Sequence, residues 1–367
     1  GVGALAAKAA AALRSAARDE SAAVRAAALE ALPSVAPQGD AECIAAAAAC
    51  LQDGATHVRL SALKALAHLS LTDNHDIAAD VMACFGSDED TNIAVLEALS
   101  KVLTKGDVGA IELVAARLES ERGHLRLAAV RILPSLVAEG DIRGIGVIAA
   151  KLAHDSLRVR EAVVEVLVRV VKAEDRGGVE TIAEYLEHDS DEVRLLAIQV
   201  LSQLGTGPSA SSSSSAVGAA VLGRRDHSAA VVRETVAYAV AQVYARGSSE
   251  ACSATLRLVH DSDERVREAA LRALIDIAER GVATTVAAVL ASLKDTEPRV
   301  RCTALEVLVA VAAKGDEEVL DAVKGLLSDP EYEVRTEAAG TVEGMASSEE
   351  VSAREVRLRR EWSEKCR

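Results

Sequence analysis

Aromatic residues are scarce in this sequence, which has one Trp, one Phe and four Tyr among 367 residues. So few rings leave little to stack on nucleobases. A formal net charge of -15 would also repel a polyphosphate backbone. We therefore expect no direct binding of nucleic acid.

Paired cysteines and long apolar runs are also missing. The six cysteines form no CxxC pair and are spread along the chain, as expected of small buried side chains in a reducing compartment. No stretch of about eighteen apolar residues is free of charge, so no membrane insertion is expected. The first residue is Gly1 rather than Met, so a presequence or further repeats could precede it. We expect an intracellular protein, cytoplasmic by default, with an organellar location left open.

What the sequence does contain is a repeat. The phrase Val-Arg, followed by an apolar pattern, recurs from Val24-Arg25 to Val334-Arg335. If Leu125-Arg126 and Thr91-Asn92 are accepted as variants, the steps between successive arginine positions are 34, 33, 34, 34, 34, 39, 34, 34 and 34 residues. A fixed period of this length is typical of helical repeat arrays.

Each repeat reads as two amphipathic helices. In the repeat that begins at Gly281, apolar residues at helical spacing precede a polar turn at Asp295, and a second apolar helical pattern follows Pro298. Gly-Asp pairs, as at Gly39-Asp40, are predicted to end one repeat and open the next, because glycine suits the residue after a helix and aspartate suits an N-cap.

The repeats resemble those of HEAT-repeat proteins, specifically the short HEAT-like class, over nearly the whole chain. The resemblance rests on an aspartate in the turn within each repeat and an arginine six residues later. In that family the two side chains form a structural ladder between neighbouring repeats. The ladder positions implied here are Asp19, Arg25, Asp53, Arg59, Arg160, Arg194, Asp261, Arg267, Asp295, Arg301, Asp329 and Arg335.

The fold class that follows is all-α, an α-solenoid (superhelix) of about ten helix-turn-helix HEAT-like repeats. We predict repeats 1–6 over residues 1–205, a Ser-rich insertion over 206–216 and repeats 7–10 over 217–348. The insertion is either a tolerated surface loop or a hinge or phosphorylation site. Residues 349–367 form either a basic capping helix or a docking segment for an acidic partner, which would use Arg357, Arg360 and Trp362.

Three His-Asp pairs look like a metal motif: His154-Asp155, His188-Asp189 and His260-Asp261. They recur in the turns of different repeats, so periodicity explains them. Stacked helices lie roughly 8 to 10 Å apart, whereas histidines that share one zinc ion approach it to about 2.1 Å. With no Gly-rich phosphate loop and no Gly-x-Ser-x-Gly motif present, we predict no catalytic, metal or cofactor site.

The HEAT resemblance implies that second helices line the concave face, where positions five and nine residues after the ladder arginine project. These positions carry a mixed polar stripe, which is either a solvated surface or a groove for a peptide or helix of another protein. The candidate partner-binding residues on it are Lys64, His68, Lys101, Arg131, Arg169, Tyr238, Gln242 and Arg272.

The function predicted from these features is a non-catalytic scaffold or structural subunit that binds other proteins, within a multisubunit complex. The alternative is a HEAT-like enzyme or cofactor-attachment factor of the phycobilin-lyase type. A transport adaptor for basic peptides is a third possibility, which the net acidity favours and the cations of the stripe oppose.

Overall fold

The computed structural model describes residues 2–71, 75–84, 88–103, 105–205 and 216–345. Within them lie twenty α-helices and no strand. The helices are α1 Val2–Ala16, α2 Ala22–Val35, α3 Ala41–Ala49, α4 Thr56–Leu69, α5 His75–Met82, α6 Glu89–Val102, α7 Val108–Ala115, α8 Gly123–Leu136, α9 Ile142–Ala149, α10 Leu157–Val170, α11 Arg176–Ala183, α12 Asp191–Gly205, α13 Ala216–Leu222, α14 Ala230–Val243, α15 Ser249–Leu258, α16 Glu264–Ile277, α17 Ala283–Ser292, α18 Pro298–Val311, α19 Glu317–Gly325 and α20 Tyr332–Met345.

The helices pair in order into ten helix-turn-helix repeats, α1 with α2 through α19 with α20, which confirms the all-α, HEAT-like solenoid class. The chain divides into two compact units, residues 1–182 and residues 183–367. The first holds α1 to α10 and nearly all of α11, and the second holds α12 to α20. The division predicted from the sequence, with its break at the Ser-rich insertion, stays a prediction.

The second helices of the repeats pack together to form the core. In the first unit α2, α4, α6, α8 and α10 pack successively against one another, and in the second unit α12, α14, α16, α18 and α20 do so. Leu29, Leu63 and Leu96, each four residues after the ladder position, are at most 1% exposed. Burial of one such side chain contributes on the order of 2 kcal/mol. The helical spacing of these leucines is therefore what drives the layers together.

The connections between repeats are fixed by the glycine and the N-cap, as predicted. Gly39 has a φ of 87°, a conformation that side chains with a Cβ disfavour. Asp40 accepts hydrogen bonds from the backbone N–H groups of Glu42 and Cys43. The N–H of Gly39 donates to the carbonyl of Leu69 at 2.7 Å, which lies at the end of the second helix of the next repeat. One short turn thus ends a helix, starts another and binds the following repeat.

Candidate partner-binding surface

Four ladder arginines each make two kinds of contact. Nη1 of Arg25 donates to the carbonyls of Asp19 at 2.8 Å and Glu20 at 2.9 Å, in its own turn. Nε and Nη2 donate to the two carboxylate oxygens of Asp53, at 2.8 and 2.9 Å, in the next repeat. The same bidentate pair recurs between Arg233 and Asp261, Arg267 and Asp295, and Arg301 and Asp329.

These pairs shift the titration of their carboxyl groups. The hydrogen bonds from Arg25 lower the pKa of Asp53, and those from Arg301 lower the pKa of Asp329. A planar guanidinium that holds both oxygens favours the ionised carboxylate. The ladder is therefore a set of structural ion pairs between repeats.

Other ladder arginines make the same contact with the backbone of their own turn. Nη1 of Arg59 donates to the carbonyl of Asp53 at 3.0 Å. Nη1 of Arg194 donates to the carbonyls of His188 and Asp189. The same Nη1 contact with the turn is made by Arg160 and Arg335. The turn contact is thus general, and the carboxylate contact is not.

Histidine replaces the turn aspartate in three consecutive repeats. Nδ1 of His154 accepts a hydrogen bond from the N–H of Ser156 at 3.0 Å, as Nδ1 of His188 does from Ser190. His227 accepts likewise from Ala229. Each ring therefore carries its proton on Nε2 when neutral.

These turns correct part of the sequence interpretation. His154 and His188 lie six residues before a ladder arginine, but His260 lies seven before Arg267, so it is not their equivalent. His227 is the third member, which the His-Asp pattern missed because Ser228 rather than an aspartate follows it. Among the described residues no three His, Cys, Asp or Glu side chains are grouped as metal ligands.

The stripe residues are exposed side chains on second helices. Lys64 and His68 are on α4, Lys101 is on α6, Arg131 is on α8 and Arg169 is on α10, all in the unit of residues 1–182. Tyr238 and Gln242 on α14 and Arg272 on α16 belong to the other unit. Arg357, Arg360 and Trp362 lie outside the described residues. As partner-binding residues, all of them stay a prediction.

The three stripe residues of the second unit meet in one cavity of about 550 Å³ on α12, α14 and α16. We call it the Tyr238 groove. Leu195 and Tyr238 line the groove, and their exposed fractions are 60% and 42%. Its lining is Leu195, Ile198, Gln199, Ser202, Gln203, Ala237, Tyr238, Ala241, Gln242, Arg272, Ala273 and Asp276.

A second cavity, of about 360 Å³, continues the groove and shares Leu195, Ile198 and Tyr238 with it. Glu234 lines this extension, one helical turn before Tyr238 on α14. Burial raises the pKa of Glu234, and burial likewise raises the pKa of the Tyr238 phenol. The groove is thus an apolar surface with partly desolvated polar groups along it.

Leu195 and Glu234 are groove residues that the sequence analysis missed. Both directly follow a ladder arginine, Arg194 and Arg233, and so share a helix face with the positions four residues farther on. Extending the stripe by that position would have found them. Ile198 and Ala273 were recognisable only as core residues.

The described cysteines behave as buried apolar side chains. Cys43, Cys50, Cys84, Cys252 and Cys302 are free thiols, and burial raises the pKa of each. The thiol of Cys50 donates to the carbonyl of Ala17 at 3.5 Å. A raised pKa keeps a thiol protonated and unreactive.

The array of paired helices with an arginine-aspartate ladder defines the class, an all-α helical-repeat solenoid. Two family models match the sequence: the sister chromatid cohesion protein PDS5 over residues 177–311, and a HEAT repeat associated with sister chromatid cohesion over residues 11–32. The chain is built of HEAT-like repeats. No curated protein matches it.

Solved structures of similar topology include an engineered protein, at 17% identity, 92% coverage of this chain, 99% coverage of that chain and a TM-score of 0.37. The karyopherin Kap121p bound to the extreme C-terminus of the protein phosphatase Cdc14p is 15% identical, covers 92% of this chain and 41% of its own, and has a TM-score of 0.49. Importin beta is 16% identical over 92% of this chain and 53% of its own, with a TM-score of 0.41. The chain thus spans about half or less of the length of Kap121p and of importin beta.

No helix among the described residues has the length and apolarity needed to cross a membrane.

Proposed function

We propose that this protein is a non-catalytic scaffold that binds other proteins through the second helices of its repeats, with the Tyr238 groove as the principal contact. The observation that carries the proposal is the exposure of Leu195 and Tyr238, at 60% and 42%, beside the buried side chain of Ile198. A partly exposed tyrosine above an apolar floor is the kind of residue that contributes most to protein interfaces.

The chemistry of the groove supports binding more than catalysis. Its polar groups are amides, a phenol, arginines, carboxylates and two hydroxyls. The hydroxyls of Ser202 and Thr235 donate to the backbone carbonyls of Gln242 and Val231. Because a catalytic site needs a nucleophile or a base that converges with other groups on a reacting atom, dispersed amides and paired arginines suit recognition. The net charge of -15 favours a protein over a nucleic acid as the partner.

The match to the PDS5 model also supports the proposal, because residues 177–311 include every residue that lines the groove. PDS5 is by its description a protein of sister chromatid cohesion. We infer from this match that the partner belongs to a multisubunit assembly.

Affinity capture from native extract tests the function, with the intact chain and the variants Tyr238→Ala and Tyr332→Ala. Tyr332 is 71% exposed and lies outside the groove, so it is a matched control for loss of a surface tyrosine. We expect stoichiometric protein partners with the intact chain and with Tyr332→Ala, reduced at least fivefold with Tyr238→Ala. A chain that comes out alone with a bound pigment or small molecule would contradict the scaffold and favour an enzyme or cofactor-attachment factor.

A further inference from the structure

Two carboxylates along the Tyr238 groove form no ion pair within the described part of the chain. Glu234 lies on α14, half-buried in the extension of the groove, and Asp276 lies exposed on α16 at the edge of the groove. Burial raises the pKa of Glu234, which shows that its charged form is poorly compensated. A cation brought to it by a partner would supply the missing compensation.

The arginines of the groove are shared with other carboxylates, so they offset these charges only in part. Burial raises the pKa of Glu234 and outweighs Arg265 and Arg194, which act to lower it. Arg194 donates to the carbonyls of His188 and Asp189 and pairs with the carboxylate of Asp191. Arg272 lies 2.9 Å from Glu268, and Arg265 lies 3.5 Å from Asp263. The groove therefore presents net negative charge to a ligand, although its formal count of charges is balanced. Because of this net negative charge, the arginines of the stripe do not oppose the binding of a basic partner.

The spacing of the two carboxylates defines the ligand. Glu234 is one residue and Asp276 nine residues after the ladder arginine of its own repeat, so they are offset by about 12 Å along α14 and α16. Packed helices lie roughly 8 to 10 Å apart, so the two positions are about 15 Å from one another. An extended chain rises about 3.3 Å per residue, and its alternate side chains point to the same side. Residues i and i+4 of an extended peptide are about 13 Å apart, and long basic side chains reach the remaining distance to the two carboxylates, with residue i+2 between them above the apolar floor.

Two amides favour an extended backbone over a helix. The side-chain amides of Gln199 and Gln242 line the groove and have no hydrogen-bond partner among the described residues. Each amide offers both a donor and an acceptor. A peptide whose backbone N–H and C=O groups are not used in its own helix can accept and return these bonds along its length.

We propose that the Tyr238 groove binds an extended segment of a partner protein with the pattern basic-x-apolar-x-basic, whose basic side chains pair with Glu234 and Asp276 and whose apolar side chain packs between Leu195 and Tyr238. This assignment rests on the proposed scaffold function and names the chemistry of its partner.

The test is a titration of the full chain with a fluorescein-labelled probe, Ser-Arg-Ser-Leu-Ser-Arg-Ser, followed by fluorescence anisotropy. Glu234→Gln and Asp276→Asn are each expected to weaken probe binding about fivefold, as loss of one ion pair worth roughly 1 kcal/mol implies. Glu306→Gln, an exposed carboxylate on α18 outside the groove, is the control and should leave the affinity unchanged. Raising the salt concentration should weaken binding of the parent chain.

Two further probes test the pattern itself. Ser-Glu-Ser-Leu-Ser-Glu-Ser reverses the charges, and Ser-Arg-Arg-Leu-Ser-Ser-Ser keeps the composition but places the arginines side by side. Both should bind at least fivefold more weakly than the first probe. Equal binding of the three probes, or no saturable binding of any of them below about 1 mM, overturns the assignment.

The outcome separates this assignment from the scaffold function. If Tyr238→Ala releases the captured partner but Glu234→Gln and Asp276→Asn behave like Glu306→Gln, the groove binds a partner of other chemistry and only the peptide assignment fails. If Tyr238→Ala changes neither partner capture nor probe binding, both proposals fail.

Discussion

In the turns of repeats 5 to 7 and of repeats 8 to 10, one side chain accepts a hydrogen bond from the backbone N–H two residues ahead. That side chain is a histidine in repeats 5 to 7 and an aspartate in repeats 8 to 10. Asp261, Asp295 and Asp329 each accept the N–H two residues ahead at 2.9 Å. His154, His188 and His227 accept the corresponding N–H at 3.0 to 3.1 Å. Only the aspartates also receive the bidentate bond from the arginine of the preceding repeat.

The difference shows that the turn residue makes two separable interactions. One is the bond that closes the turn, and the other is the ion pair that joins two repeats. A neutral imidazole with its proton on Nε2 can close the turn, but it has no negative charge to offer a guanidinium. At His227 the surroundings differ, because its Nε2 lies 3.7 Å from Glu187, which also accepts a bond from Arg224 at 2.7 Å.

The Tyr238 groove lies where the two kinds of turn meet. Its helices α12 and α14 follow the turns of His188 and His227, whereas α16 follows the turn of Asp261. The pair between Arg233 and Asp261 therefore joins the repeats of α14 and α16, two of the helices that shape the binding surface.

The largest expected effect comes from breaking an aspartate turn. Asp329→Ala removes a carboxylate that is 8% exposed and bound by Arg301, which leaves a guanidinium partly buried without its partner. We expect a loss of about 2 kcal/mol in stability, measured by urea unfolding. Asp321→Ala, which removes an exposed carboxylate of the same repeat, should change stability by less than about 0.5 kcal/mol. Equal losses would show that the ladder pair has no special role.

Converting a histidine turn should gain stability. Arg126 precedes His154 by 28 residues, the spacing of the pairs such as Arg25 and Asp53. His154→Asp would place a carboxylate in reach of Arg126 and is expected to stabilise the chain by about 1 kcal/mol. His260→Asp, one residue off the turn position, is the control that should not. Thermal unfolding of the two variants compares them, and a destabilised His154→Asp would contradict the shared geometry.

The aspartate turns should keep their ladder bonds in mild acid. The hydrogen bonds from the ladder arginines lower the pKa of Asp53 and Asp329. Their contribution is therefore fully present above the pKa of an unfolded aspartate and is lost only as the pH falls through the lowered folded pKa.

Hydrogen exchange at single amides checks this expectation. Between pH 7 and pH 5, after correction for intrinsic exchange, protection of the Ala55 and Glu331 amides, which donate to Asp53 and Asp329, should stay constant. A fall in protection at these two amides would contradict the prediction.

The smallest effect is expected from His188→Asn. The amide oxygen of asparagine can accept the N–H of Ser190 in place of Nδ1, and it does not titrate. Stability at pH 7, measured by urea unfolding, should change by less than about 0.5 kcal/mol. A larger loss would show that the imidazole contributes more than its turn bond.

The repeat boundaries were predictable because each has a local chemical cause. The period of the arginine, the Gly-Asp connections and the apolar spacing around Leu29 and Leu305 express contacts within one repeat or with its neighbour. Such contacts leave a regular trace in the sequence.

The groove could be predicted only in part. Tyr238, Gln242 and Arg272 follow from helical geometry, and so does the pair of Arg272 with Glu268, which is an i,i+4 contact within α16. The enclosure of Glu234 depends on side chains from α12, α14 and α16. A count along the sequence does not contain that information.

The most direct test of the central claim is site-specific photo-crosslinking of the intact chain in native extract. A photoreactive phenylalanine analogue would replace Tyr238 in one sample and Ser253, an exposed residue of the first helix α15, in another. The account predicts one dominant crosslinked protein partner from position 238 and none from position 253. Crosslinks of equal yield from both positions, or from position 253 alone, would contradict it.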